Sequence, residues 1–387
     1  MGKRKKAAAG RKRDGVAAVP AVDMEGLPKV DALRDVPAYA DLRADDAQRA
    51  DFEAYREAAE RPEELRMGCV VRLDRGFPLV ATDGATFRAE HAVAFAKRGR
   101  GSEAAPMLPA VGDRVAVRRD AGHDMGVIER VLPRRTAFER WRGKNRGERQ
   151  VLAANVDTVL IVQPLGSVRD TPALMRDRIA RSLVLVRDCG AEPVVVLTKA
   201  DRCDAAGLER AVADVRSLVG EDVRVVVTSS AEGRGLDEVR ACVPAGSCAM
   251  ILGESGAGKS TLLNALLGHE ALETGEVRER DDMGRHTTVA RVCCKLPDPC
   301  GVVTDAPGLR SLPLVGHERG LALTFPEVVC AARTCRFNDC THTHEPGCGV
   351  REAVEVGEID AGRVEAFLAL AREMRVSAQS LDPDIKL

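Results

Sequence analysis

The segment Gly253-Glu254-Ser255-Gly256-Ala257-Gly258-Lys259-Ser260 fits the pattern G-x-x-x-x-G-K-[ST] and stands between two strongly patterned neighbours. Before it, 247–252 is a run of strand length that is apolar from Cys248 onward. After it, 259–267 places Leu262, Leu263, Leu266 and Leu267 on one helical face. A glycine-rich turn between a buried strand and a helix aims backbone N–H groups and the positive helix end at phosphates. In such a loop Lys259 reaches the β/γ-phosphates, Ser260 ligates Mg²⁺ through its hydroxyl, and Thr261 follows within the same site. The chain is thereby constrained to an α/β sheet with a nucleoside triphosphate at its edge.

The base is read elsewhere. Thr198-Lys199-Ala200-Asp201 follows the apolar strand 194–197 and matches the guanine-specificity pattern, usually Asn-Lys-x-Asp, with threonine in first place. Asp201 would accept both the N1–H and the exocyclic amine of guanine, and Lys199 would lie over the base plane. Adenine would leave that carboxylate without its donors, a loss that discriminates strongly. Ser229, at the end of another strand, suits the second base-contacting loop. Asp305-Ala306-Pro307-Gly308 matches Asp-x-x-Gly, whose aspartate holds Mg²⁺ through water and whose glycine N–H senses the γ-phosphate. Gly284-Arg285-His286-Thr287-Thr288 lies between the two phosphate motifs. Thr287 and Thr288 are both candidates for the switch threonine on Mg²⁺, with Thr288 favoured. Together these motifs predict a GTPase.

Their order is unusual, because the base-reading motifs precede the phosphate loop. It reads as a circular permutation, which a domain with neighbouring surface termini tolerates. The Asp305 motif then runs directly into the C-terminal segment.

The flanking regions differ in character. Residues 1–63 are rich in Ala and charge, with Lys3, Arg4, Lys5, Lys6, Arg11, Lys12 and Arg13 at the start. A short helix is expected near 45–61, without a packed core. Residues 64–134 carry short β-like runs (67–73, 77–82, 114–118, 126–131) broken by glycines, which suits a small antiparallel barrel. Residues 135–153 read as a basic linker, and its arginines with Arg134 form a second candidate nucleic-acid contact. From 154 to 316 strand and helix alternate, the pattern of a parallel sheet covered on both faces. The remainder, 317–387, holds a Cys/His cluster and a helix over about 361–375.

The net charge of −1 and the absence of any long apolar run predict no membrane span and no signal peptide. Twelve cysteines in such a chain point to thiols or metal sites in a reducing cytoplasm rather than disulfides.

Val111-Gly112-Asp113-Arg114-Val115, Ala153-Ala154-Asn155-Val156-Asp157, the permuted motifs and Gly-Arg-His-Thr-Thr together resemble the circularly permuted, small-ribosomal-subunit-dependent GTPases of the RsgA type. The resemblance covers about 65–375. It implies an oligonucleotide/oligosaccharide-binding (OB-fold) barrel, a permuted G domain and a zinc domain. It also implies GTP hydrolysis stimulated by the small subunit and its rRNA during late maturation, by a protein expected to be monomeric. Other readings are a permuted GTPase acting on another RNA or assembly, and a non-catalytic GTP/GDP switch.

Cys335, Cys340, His342 and Cys348 make a Cys-x₄-Cys-x-His-x₅-Cys array. Three thiolates and an imidazole suit tetrahedral Zn²⁺ in a closed structural site. Cys330 and His344 are local competitors for ligation. Cys293 and Cys294 sit in a strand pattern and read as core or surface thiols. Leu309 stands where many GTPases carry the water-orienting glutamine, so intrinsic turnover should be slow. His286 is the nearest polar candidate for catalysis, or else fixes the switch or touches RNA. Lys259 is the expected stabiliser of charge developing on the β/γ oxygens.

Overall fold

The computed structural model describes residues 27–74, 76–92, 108–119, 125–142, 148–166, 171–271, 291–305 and 314–381. Met1–Leu33 and Arg34–Leu387 are separate compact units. The described part of the first holds one 3-10 turn, Val30–Ala32.

In the second unit, helix α1 (Asp46–Ala58) precedes five strands: β1 (Leu65–Asp74), β2 (Phe77–Thr82), β3 (Thr86–His91), β4 (Arg114–Arg118) and β5 (Gly126–Val131). They are hydrogen-bonded in the order β1-β2-β3-β5-β4, and β4 pairs back onto β1, so the sheet closes into a barrel. All pairings are antiparallel except β3 with β5. Val70, Val80, Phe87, Ala89, Val115, Val117 and Ile128 fill the interior. β3 was hard to see in the sequence because Arg88 interrupts it. That arginine is buried, and its charge meets Asp74 at 2.6 Å.

Residues 34–63 depart from the tail without a core that composition suggests. Asp45 caps α1 in a capping box with Gln48. Phe52 is buried with Leu65, Ala116 and Leu132, and Leu42 is fully buried. One apolar stripe on an otherwise charged helix is enough to seat it on the barrel. The described parts of the expected linker at 135–153 also form strands. Strands β6 (Ala137–Arg142) and β7 (Glu148–Ala154) pair antiparallel, with Phe138 and Leu152 buried in the main core.

The G domain adds β8 (Thr158–Pro164), α2 (Pro172–Cys189), β9 (Glu192–Thr198), α3 (Ala205–Val219), β10 (Arg224–Val227), α4 (Leu236–Ala241), β11 (Cys248–Leu252), α5 (Lys259–Leu267), β12 (Arg291–Lys295) and β13 (Val302–Asp305). Their order is β10-β9-β8-β11-β13-β12, parallel except for β12, which also joins β1 of the barrel. Side chains alternate between two cores. Val159, Ile161, Val195, Leu197 and Met250 face α2 and α3. Leu160, Val162, Val194, Val196 and Ile251 face α4 and α5. Cys293 and Cys294 are buried core thiols.

Beyond β13, α6 (Glu318–Thr324), α7 (Pro326–Ala332), α8 (Gly349–Glu355) and α9 (Ala361–Leu381) add Phe325, Val328, Val350, Val364, Leu370 and Met374 to the core under α2. Arg363 ties these helices together. It donates to Glu327 at 2.7 Å and to the Thr324 carbonyl at 2.8 Å, and stacks over Phe325.

Asn155 joins the barrel, α1, the hairpin and β8. Its φ is 55°, and its amide nitrogen donates to the Gly112 carbonyl at 3.0 Å. Its side-chain oxygen accepts from Gln48 Nε2 and from the Arg135 N–H, each at 3.0 Å. Asn155→Ala would remove three hydrogen bonds at this junction, so it is expected to lower the urea-unfolding free energy by about 2–4 kcal/mol. A loss below about 1 kcal/mol would show that these bonds do not hold the junction.

Candidate guanine-nucleotide and metal sites

β8, β9, β11 and β13 run parallel, so the loops after them all leave the same edge of the sheet. The chain proceeds from β8 toward β9 and β10 on one side, and from β11 toward β13 on the other. The reversal between β8 and β11 is the place where open α/β sheets bind ligands.

The loop 253–258 starts there. A side chain on Gly253 would lie 2.6 Å from the Val162 carbonyl, so only glycine lets the loop leave β11 this close to β8. Gly258 has φ 91°, which turns the chain into α5 with Lys259 and Ser260 in its first turn. Lys259 Nζ donates to the Glu254 carbonyl at 2.6 Å. Glu254 pairs through its carboxylate with Arg178 of α2 at 2.7 Å. Ser255 and Gly256 are exposed, and Ala257 is buried.

The first residue of the expected base-reading motif is in direct contact with this loop. Thr198, buried at the end of β9, donates from Oγ1 to the Ala257 carbonyl at 2.7 Å. Lys199 follows with φ 60° and extends its ammonium to the Gly256 carbonyl at 2.6 Å. Asp201 accepts from the Ser229 hydroxyl at 2.7 Å. That bond, the main cause, holds the Asp201 carboxyl below its ordinary range, so the carboxylate is charged at neutral pH. Ser229 is fully buried beside the end of β10, and its hydroxyl also accepts the Glu232 N–H at 3.3 Å. Asp305 ends β13, buried and opposite Ile251 in register.

The structure thus brings Thr198, Lys199, Asp201, Ser229, the phosphate loop through Ser260 and Thr261, and Asp305 to one edge. His286, Thr287, Thr288, Gly308 and Leu309 lie outside the described residues. Sequence reasoning left the role of threonine at 198 open, and its hydroxyl bond to the loop supplies one. Reasoning from sequence also missed Arg178. It carries no motif and lies far from Glu254 in the chain.

The second site is in the C-terminal segment. Among the described residues, the Cys/His/Asp/Glu group able to hold a metal is Cys335, Cys340, His342 and Cys348, with all four donor atoms within 4.8 Å of one another. Cys335 and Cys348 sulfurs are 3.9 Å apart, and each lies 3.5 Å from His342 Nδ1. A tetrahedron with Zn–S of about 2.3 Å and Zn–N of about 2.0–2.1 Å needs S–S edges of about 3.8 Å and S–N edges of about 3.5 Å. The Cys335, Cys348 and His342 donors stand at these spacings, and the Cys340 sulfur lies within 4.8 Å of all three. Cys330 and His344 are not in the group, and His344 bonds to Thr343 instead.

Comparison with known proteins agrees with this geometry. A family model described as RsgA GTPase matches residues 131–315. A curated relative from Streptomyces avermitilis, named small ribosomal subunit biogenesis GTPase RsgA, is 42% identical over 313 residues, 80% of each chain. One of the same name from Syntrophotalea carbinolica is 41% identical over 324 residues, 81% of this chain and 85% of the relative. The crystal structure of YjeQ from Thermotoga maritima aligns with a TM-score of 0.60 and 28% identity, covering 80% of this chain and 98% of that one. YloQ, described as a circularly permuted GTPase, aligns at TM-score 0.56 and 21% identity over 85% of this chain and all of that one, and so bears on the fold alone. A G-domain sheet whose base-reading strands come before its phosphate loop, joined to an N-terminal barrel and to relatives at this level of identity, makes the chain a member of the RsgA GTPase family.

Proposed function

We propose that this chain is a cytoplasmic GTP hydrolase of small-ribosomal-subunit biogenesis that docks on the subunit with GTP bound and leaves it after hydrolysis. The observation that carries the reading is the Asp201–Ser229 pair at the edge of a sheet whose phosphate loop is bonded to Thr198. A charged, oriented carboxylate beside a phosphate cradle suits a guanine nucleotide.

In this reading Asp201 selects the base, Lys199 covers it, and the N–H groups of 253–258 surround the phosphates. Ser260 would hold Mg²⁺, with Asp305 behind it through water and Thr288 or Thr287 joining while the γ-phosphate is present. The ion would neutralise charge developing between the β- and γ-phosphates. Lys259 would exchange its carbonyl partner for those oxygens. His286 is the proposed polar group of the hydrolytic step, and Leu309 beside Gly308 is the reason for slow basal turnover.

The barrel order, closed by β1 with β4 and with β3 parallel to β5, supports an OB-fold that reads rRNA. The proposed divisions are an rRNA-reading barrel at 64–134, a G domain at 154–316 and a zinc domain at 317–387. The Cys335, Cys340, His342 and Cys348 donors suit one structural Zn²⁺, which would fix a segment with little apolar core of its own.

Hydrolysis measured with and without purified small subunits tests the function. Stimulation of at least tenfold is expected, together with co-sedimentation in a non-hydrolysable GTP analogue but not in GDP. Equal rates with and without subunits would refute it.

Asp201→Asn places an amide donor against guanine's own donors. Competition should then shift from GTP toward xanthosine triphosphate by at least tenfold. Unchanged competition removes Asp201 from the base site.

Cys340→Ser should release about one zinc per chain and speed proteolysis within 317–381. GTP affinity should stay within about twofold, because the nucleotide groups lie elsewhere. Wild-type protein purified without added metal and free of zinc would overturn the assignment.

A further inference from the structure

Glu254 places a carboxylate on a loop that, in the proposed reading, surrounds a polyanion. Its carboxylate is half exposed and sits on the phosphate loop itself, where its charge opposes the arrival of phosphate oxygens. Arg178 answers it from α2, with Nη2 at 2.7 Å from Glu254 Oε2. One helical turn further along the same face, Arg181 pairs with Glu373 of α9. Beside both arginines α2 and α9 leave a cavity of about 190 Å³, lined in part by Arg178, Arg181, Ala366, Ala369 and Glu373. The two arginines therefore occupy one seam. One reaches the phosphate loop, and the other reaches the C-terminal helix.

We infer that Arg178 is a positioning residue for GTP binding: it neutralises Glu254 and pins the phosphate loop to α2, and the Arg181–Glu373 pair fixes the seam it acts from. This rests on the reading of 253–260 as the nucleotide site. Arg178 does not have to touch the nucleotide. Its effect passes through the charge and place of Glu254, so it should appear in affinity and leave the chemical step unchanged. The pair is partly exposed, which limits the effect to a few-fold.

A double-mutant cycle on the full chain, read by GTP titration and steady-state hydrolysis, tests this. Arg178→Ala should raise Kd and KM for GTP about three- to sixfold and leave kcat within about twofold. Arg178→Lys should recover most of the loss because it restores the charge. Glu254→Gln alone should bind GTP at least as well as wild type. The double variant Arg178→Ala, Glu254→Gln should return to within twofold of wild type, since no carboxylate is left to neutralise. A purely structural arginine predicts no such recovery, so a double variant as weak as Arg178→Ala overturns the inference. So does an unchanged KM in Arg178→Ala. Glu373→Gln should weaken GTP binding less than Arg178→Ala, and only while Arg178 is present. Failure of the wild-type protein to bind GTP would instead reject the underlying site, a result separable from any outcome among the variants.

Discussion

The hydrogen bond from Thr198 Oγ1 to the Ala257 carbonyl is the interaction on which the proposed nucleotide site turns. It joins the end of β9 to the loop that follows β11, two strands separated in the sheet by β8. Base recognition and phosphate recognition are chemically independent tasks, and a nucleotide is served only when the two loops keep a fixed spacing. A buried hydroxyl accomplishes this without an asparagine amide. Its proton points mainly to the loop, with the Gln163 carbonyl of β8 as a longer second acceptor at 3.3 Å. Lys199 adds a second tie one residue later, from its ammonium to the Gly256 carbonyl. Departure from the usual first residue of the motif therefore leaves the link between the loops in place.

That spacing depends in turn on the sheet. Alternate residues of β8 and β9 enter opposite cores, one under α2 and α3 and the other under α4 and α5. A slip of one residue in either strand would exchange the two faces and move Thr198 away from Ala257. Permutation leaves this register intact because it changes connectivity and not neighbours. It does place a different segment after Asp305. The helices beyond β13 do not form a core apart. Phe325, Val328, Leu370 and Met374 are buried with Ile179 and Leu183 of α2. A helix next to the phosphate loop thus shares its apolar face with the segment bearing the cysteine cluster.

Much of this was legible from residue spacing. The buried strands and their helices follow from apolar periodicity, and the cysteine array follows from ligand chemistry, because both are local patterns. The features that were not legible depend on partners distant in the chain. The helix at 46–58 was expected, but its packing was not, since only Phe52 and its neighbours face inward and their target on the barrel is set by folding. Arg88 masked a strand because its charge is met by Asp74, which belongs to another strand. Arg178 and Glu254 have no sequence signal in common. Spacing could not separate Cys330 and His344 from the four candidate donors either. In the fold Cys335, Cys340, His342 and Cys348 converge.

The polar contacts of the molecule fall into two mechanical classes, and the division tracks burial. At the junction of barrel, hairpin and G domain, Asn155 is buried with every side-chain polar atom matched, and Arg134 clamps the fully buried Asp113 with bonds of 2.7 and 2.6 Å. Breaking such bonds admits no water to replace them, so the junction is rigid. Around the phosphate loop the opposite holds. Lys259 and Lys199 rest on loop carbonyls in solvent-exposed contacts. In the proposed site each of those bonds would be traded for a contact to the nucleotide at small net expense, because water supports both states. A site that has to bind and release a nucleotide needs contacts of this exchangeable kind on its rim, and it needs the buried kind beneath, so that the exchange moves lysines and not strands.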